Sequence, residues 1–248
     1  MRKLAVFVEG QTELVFVREI LVKWFDYDGK KIGFNCYNLL NNNLVDTSYQ
    51  YGDENSENYY LIVNVGNDNS VLGKIRARMP FLVKNNYNVV IGLRDMFSDQ
   101  YIKDVKGREI NDVVTQMHID AVKEQIDAIE NGAKIRFHFA IMEVEACLLG
   151  MHQYLEALDN RLTQAYINEN IGLDLNQDPE TTIFHPAVEL EKIYELVGKK
   201  YGKHDSDIST IMSKLTQDDF RNLAMSGKCQ SFYSFMASLV DFLNPYSN

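Results

Sequence analysis

At 248 residues, 46% of them hydrophobic, the chain has enough apolar mass for a full core in one large domain or a domain with an extension. Its 35 acidic and 25 basic side chains give a net charge of −10. That argues against adhesion to nucleic acid by bulk charge, though not against an acidic metal centre flanked by a local basic patch. The apolar runs fall far short of the roughly 20 residues that cross a bilayer, so no membrane partner is expected. Three cysteines, Cys36, Cys147 and Cys229, lie far apart without a CxxC pair and suggest neither a zinc site nor a disulfide framework. The opening Met-Arg-Lys leads into an apolar run too short for a secretory signal, and a reducing, cytoplasmic setting is expected.

Residues 4–8, Leu-Ala-Val-Phe-Val, read as a strand buried on both faces, as in a parallel sheet. Glu9 falls where that strand ends, Gly10 permits a tight turn, Thr12 suits a helix N-cap, and Glu13 sits in the first helical turn. Residues 32–40 predict a second strand. Residues 41–58, rich in Asn, Asp, Ser, Gly and Glu, predict a surface loop. Residues 59–65 predict a third strand, closed by a Gly-Asn-Asp-Asn turn at 66–69. A helix is expected over 70–85, kinked or stopped at Pro80.

Residues 87–93 form the next predicted strand and run into Arg94-Asp95-Met96-Phe97-Ser98-Asp99. A polar loop over 100–110 carries Lys103, Lys106 and Arg108, and a long helix over 111–131 ends at Gly132. A last strand over 135–142 leads through Glu143-Val144-Glu145-Ala146 into a helix beginning at Cys147. Strands alternating with helices of this length indicate an α/β fold with a mostly parallel sheet flanked by helices. Beyond about residue 150 the alternation stops, and residues 151–170, 186–201, 206–215 and 230–243 read as helices with breaks such as His185-Pro186. The expected organisation is an α/β domain over 1–150 and a helical C-terminal extension over 151–248.

Acids stand at three strand ends: Glu9, then Asp95 with Asp99, then Glu143 with Glu145. In a parallel sheet these ends share an edge, where residues distant in sequence can converge on a ligand. Two carboxylates within about 4 Å cost on the order of 4 kcal/mol at an effective dielectric near 20, a cost that protons, basic side chains or a divalent cation offset. An all-oxygen donor set suits Mg²⁺ or Mn²⁺ and not zinc. Acids at strand ends also serve simply as solvated loop residues or helix caps. Glu143 and Glu145 share a face while the chain stays extended; if the helix has begun, one of them points away. Lys103, Lys106 and Arg108 lie beside the candidate site and can meet a phosphate backbone or remain a solvated loop. His138, inside a strand, reads as a core residue. No P-loop, nucleophile elbow or metal-spaced histidine pair is present.

The strand followed by Glu9-Gly10-Gln11-Thr12-Glu13, with a later strand ending in Asp95, resembles the Toprim (topoisomerase–primase) fold. More narrowly, the segments Arg94-Asp95-Met96-Phe97, Met142-Glu143-Val144-Glu145-Ala146-Cys147-Leu148-Leu149 and Cys229-Gln230-Ser231-Phe232 resemble an uncharacterised bacterial branch of Toprim-like proteins, distantly similar to overcoming-lysogenization-defect nucleases. The resemblance implies a Toprim-like sheet, with Glu9 as metal ligand or general acid/base and Asp95 as the first acid of the family's Asp-x-Asp. The second acid of that motif is replaced here by Phe97, leaving Asp99, Glu143 or Glu145 to supply the missing ligand.

The expected function is therefore a Mg²⁺- or Mn²⁺-dependent phosphodiester-cleaving enzyme acting on DNA or RNA, with Glu9 and Asp95 catalytic and Glu9, Asp95, Asp99, Glu143 and Glu145 around the metal. The wider family resemblance implies a role in defence against phage or mobile DNA. The alternatives are a non-catalytic nucleotide- or protein-binding component of a larger complex, and a phosphatase for small metabolites. A protein partner or a homo-oligomer is compatible with each.

Overall fold

The computed structural model describes residues 1–66 and 70–240. The expected turn at 66–69 and the expected helical end at 241–243 therefore fall wholly or partly outside the described residues. Strands β1 (Arg2–Val8), β2 (Ile32–Leu40), β3 (Asn43–Asp46), β4 (Asn58–Asn64), β5 (Val89–Asp95) and β6 (Ile135–Ala140) make one sheet in the order β3-β2-β4-β1-β5-β6. β1 pairs parallel with β4 and β5, and β4 pairs parallel with β2. Only the β2–β3 hairpin pairing is antiparallel among the registers defined for the described residues. The fold is thus α/β with a mostly parallel sheet. β1 is central, and Leu4 through Val8 are fully buried, which explains an unbroken apolar run in place of alternation.

Register sets the functional edge. Val8 lies opposite Asn64 on one side and Leu93 on the other, so the carboxyl ends of β1, β4 and β5 are level. Gly92 is required in β5 because a Cβ there would lie 2.5 Å from the Phe137 ring. Helix α1 (Gln11–Trp24) follows β1, and its N-cap is Gly10 rather than Thr12: the Gly10 N–H donates to Glu13 Oε2 at 2.8 Å. Helix α2 (Val71–Lys84) runs through Pro80 without stopping, since Pro80 is exposed and water can satisfy the carbonyl it leaves free. Its Val71, Ile75, Met79 and Leu82 meet Ala5, Phe7, Val63 and Val90 in one core cluster.

The segment expected as a loop over 41–58 contains β3. Asn41 and Asn42 at φ 49° and 64° make the tight turn that folds it back on β2. Its polar composition reflects an edge position, where only Leu44 packs against the core cluster. Likewise the polar 100–110 stretch holds α3 (Asp99–Val105), whose first turn is capped by Ser98 Oγ accepting from Tyr101 N. Helix α4 (Asp112–Asp127) is amphipathic in sequence but buries none of its residues, with Val113 and Met117 exposed.

The C-terminal region is helical: α5 (Val144–Gly150), α6 (Tyr154–Leu158), α7 (Gln164–Ile171), α8 (Pro179–Thr182), α9 (Pro186–Glu195), α10 (Asp205–Lys214), α11 (Gln217–Met225) and α12 (Gln230–Leu239). The single helix expected over 151–170 is divided between α6 and α7, with Thr163 Oγ1 capping the second. The described residues group into two compact units: those within 1–94, 116–139 and 235–240, and residues 95–115 with 140–234. In the first, the Tyr60 hydroxyl donates to the Leu239 carbonyl at 2.8 Å. His138, half-buried, pairs with Ser238 Oγ at 2.9 Å, and burial of the ring pushes its imidazole down to about 4, which keeps it neutral. In the second, α5 is buried against α8 and α9. No helix among the described residues is long and apolar enough to cross a membrane.

Candidate metal centre

The second unit gathers three buried carboxylates, Asp95, Glu143 and Glu145, each offering an oxygen within 4.8 Å of the others. Backbone pairing past the strand ends brings their segments together: the Met96 N–H donates to the Ala140 carbonyl at 2.9 Å and the Phe97 N–H to the Met142 carbonyl at 2.8 Å. Asp95, the last residue of β5, accepts the Val144 N–H on Oδ1 at 3.0 Å. That N–H has no partner inside α5, and a carboxylate at a helix start is electrostatically favoured.

Glu143 occupies the N-cap of α5 in extended backbone, φ −142° and ψ 159°, but its side chain does not cap the helix. Its Oε2 accepts from the Ala187 N–H and faces His185 Nδ1, both at 3.0 Å, and its Oε1 accepts from Lys203 Nζ at 2.7 Å. Glu145, two residues on and already helical, is fully buried. Its Oε1 accepts from the Tyr201 hydroxyl at 2.7 Å. Both glutamates therefore reach the centre although the helix has begun: the change from extended to helical backbone falls between them and aims both side chains at Lys203.

Glu145 Oε2 is buried without a hydrogen bond. The Lys203 ammonium stands 3.3 Å away as an electrostatic neighbour and not as an aligned donor. Burial, reinforced by Glu143, drives the Glu145 carboxyl above the usual carboxylate range against the pull of Lys203 and the Tyr201 hydroxyl. Burial alone would drive the Lys203 ammonium down, but Glu145, Asp95 and Glu143 together outweigh it and hold the amine above an ordinary lysine. Burial and then Glu145 raise the Tyr201 phenol, which stays a neutral donor.

Like charges at this spacing repel by about 3–4 kcal/mol per pair at an effective dielectric near 20. Three ionised carboxylates facing one ammonium would leave two negative charges to be offset, by protons on the acids or by a divalent cation. The donors are all oxygens, and one of them is an orphaned buried oxygen, which fits a hard divalent cation. An ion in the centre would share the cluster with Lys203, whose side chain is 36% exposed and has room to swing outward.

The remaining candidates from the sequence sit on other elements. Glu9 follows β1 in the first unit. Asp99 is exposed at the first position of α3, so the loop does not turn back to bring it into the cluster. Lys103 is exposed on α3, Lys106 ends that helix in left-handed backbone at φ 56°, and Arg108 is exposed and lines a cavity. Phe97 packs edge-on to Phe184 and lies 4.2 Å, centroid to centroid, from His185. His185, Tyr201 and Lys203 are the side-chain partners of the two glutamates, and local sequence does not mark them as site residues. His185-Pro186 read only as a helix break, and nothing in spacing separates Lys203 from Lys199 and Lys200.

No protein-family model, curated protein or solved structure matches this chain.

Proposed function

We propose that this chain is a Mg²⁺- or Mn²⁺-dependent phosphodiester-cleaving enzyme of Toprim-like type that acts on nucleic acid. The observation that carries the reading is the convergence of Asp95, Glu143 and Glu145 at the ends of β5 and β6, buried and short of positive charge. A bound divalent cation would polarise a phosphoryl oxygen and lower the pKa of a coordinated water. Asp95 and Glu145 would hold the ion. Glu143 is fixed by Ala187, His185 and Lys203, so its carboxylate cannot rotate freely. His185, 39% exposed and bonded to Glu143, is placed to pass a proton at the solvent side of the centre. The Toprim resemblance gives the acid/base role to Glu9, and Glu9→Gln tests that role separately.

The experiment is cleavage of plasmid and single-stranded DNA and of RNA with Mg²⁺ or Mn²⁺, comparing the wild type with Asp95→Asn. Metal-dependent cutting lost in the variant is the expected result. Folded wild type that neither cuts nor rises in melting temperature with Mn²⁺ overturns the reading. Two observations favour a second reading, a non-catalytic nucleotide- or protein-binding component: Lys203 already neutralises part of the cluster, and Phe97 stands where an acid would complete the motif. Nucleotide binding with no response to Mn²⁺ selects it.

A further inference from the structure

A cavity of about 710 Å³ in the second unit shares His185 with the carboxylate centre, and its volume falls among small-molecule sites, about 300–1,000 Å³. Its lining divides by chemistry. Phe97 and Phe184, edge-on at 5.6 Å, give an aromatic wall, and Val188 adds an aliphatic one. Two cations line the same space. Lys192 is committed to Glu189 at 2.7 Å, whereas Arg108 is exposed with no ion pair or hydrogen bond to any described residue.

We infer that this cavity binds a single nucleotide, with its base against Phe97 and Phe184 and its phosphate held by Arg108. Aromatic faces stack on any base, and a guanidinium fork matches phosphate oxygens better than a point charge does. An aliphatic ligand would leave Arg108 without a purpose, and inorganic phosphate would leave the aromatic wall without one. A cavity of this size takes one nucleotide and not a duplex, so the strand is unpaired there, its base turned out of any stack. The inference deepens the reading proposed above and rests on it only in making the nucleotide part of a nucleic-acid strand.

The test is calorimetric titration in EDTA with adenosine 5′-monophosphate, adenosine and inorganic phosphate, on the wild type, Arg108→Ala and Val188→Trp. The nucleotide is expected to bind saturably, with adenosine weaker by at least about tenfold, the weight of one charge-assisted contact. Arg108→Ala should bring the nucleotide down to the affinity of adenosine. Val188→Trp, which fills the cavity from a half-buried position, should abolish binding at an unchanged melting temperature. If that variant is destabilised, Thr182→Trp at an exposed rim position serves instead. No saturable binding to the folded wild type, affinity insensitive to both variants, or phosphate binding as tightly as the nucleotide would each overturn the inference. Asp95→Asn should bind the nucleotide like the wild type in EDTA, so loss of cleavage and loss of this pocket are read separately.

Discussion

Lys203 reaches across 60 residues of sequence to place its ammonium 2.7 Å from Glu143 Oε1, and it does so from left-handed backbone at φ 55°. The same amine stands 3.3 Å from the orphaned oxygen of Glu145. It is the built-in counter-ion of the centre, on a side chain with one flank open to solvent. Removing one partner of a fully buried ion pair costs about 3–5 kcal/mol. With Lys203 36% exposed, screening brings the expectation down to about 1–3 kcal/mol. Lys203→Met should therefore lower stability in EDTA, yet gain more than the wild type in melting temperature when Mn²⁺ is added. Equal gains in both proteins would show that the amine and the ion do not compete.

Asp95 has two separable duties, charge in the cluster and acceptance of the Val144 N–H. Asp95→Asn keeps an acceptor and relieves repulsion, so its stability in EDTA should stay within about 1 kcal/mol of the wild type. Asp95→Ala leaves a buried N–H without that acceptor and should cost about 1–3 kcal/mol. Both should lose the Mn²⁺-dependent rise in melting temperature. Urea denaturation with and without Mn²⁺ measures all of these, and a retained metal response in Asp95→Asn would remove Asp95 from the ligand set.

The Tyr201 hydroxyl is the hydrogen-bond donor to the fully buried Glu145. Tyr201→Phe should cost about 1–3 kcal/mol, the desolvation of an oxygen stripped of its donor. In a double-mutant cycle with Glu145→Gln the coupling should exceed about 0.5 kcal/mol, as for residues in one network. Additive single effects would mean that the bond carries no weight.

Away from the centre, Glu180 in α8 is buried, and its carboxylate takes hydrogen bonds from the Ser231 N–H at 3.1 Å and from the Ser231 hydroxyl. Burial raises its carboxyl from 4.5 to about 7, against the opposing pull of Ser231. A raised carboxyl holds its proton more tightly when folded. Its contribution to stability is thus complete below pH 4.5 and lost as the pH rises through 7. At about 1.4 kcal/mol per pH unit the swing is on the order of 3 kcal/mol. The stability difference between the wild type and Glu180→Gln should move against the wild type by that order between pH 4.5 and 7.5. A pH-independent difference would show that Glu180 titrates normally.

The alternation of apolar runs with amphipathic stretches determined the α/β class and the central place of residues 4–8, because a strand covered on both faces must be apolar throughout. It also marked Asp95, Glu143 and Glu145 as strand-end acids, since local periodicity shows where a strand stops. Short polar elements escaped it. β3 and α3 are specified by Asn41-Asn42 and by the Ser98 cap, not by apolar spacing, and α11 by the reciprocal hydrogen bonds of Thr216 and Asp219. Tertiary structure alone decided which acids converge and what compensates them. Asp99 turns out into α3, whereas Glu143 and Glu145 stay together across a helix start. Lys203, Tyr201 and His185 come from loops 42 to 60 residues away from their glutamate partners. Local sequence records the cost of burying three carboxylates, but the charges and donors that offset it are set by packing between distant segments, which no spacing rule encodes.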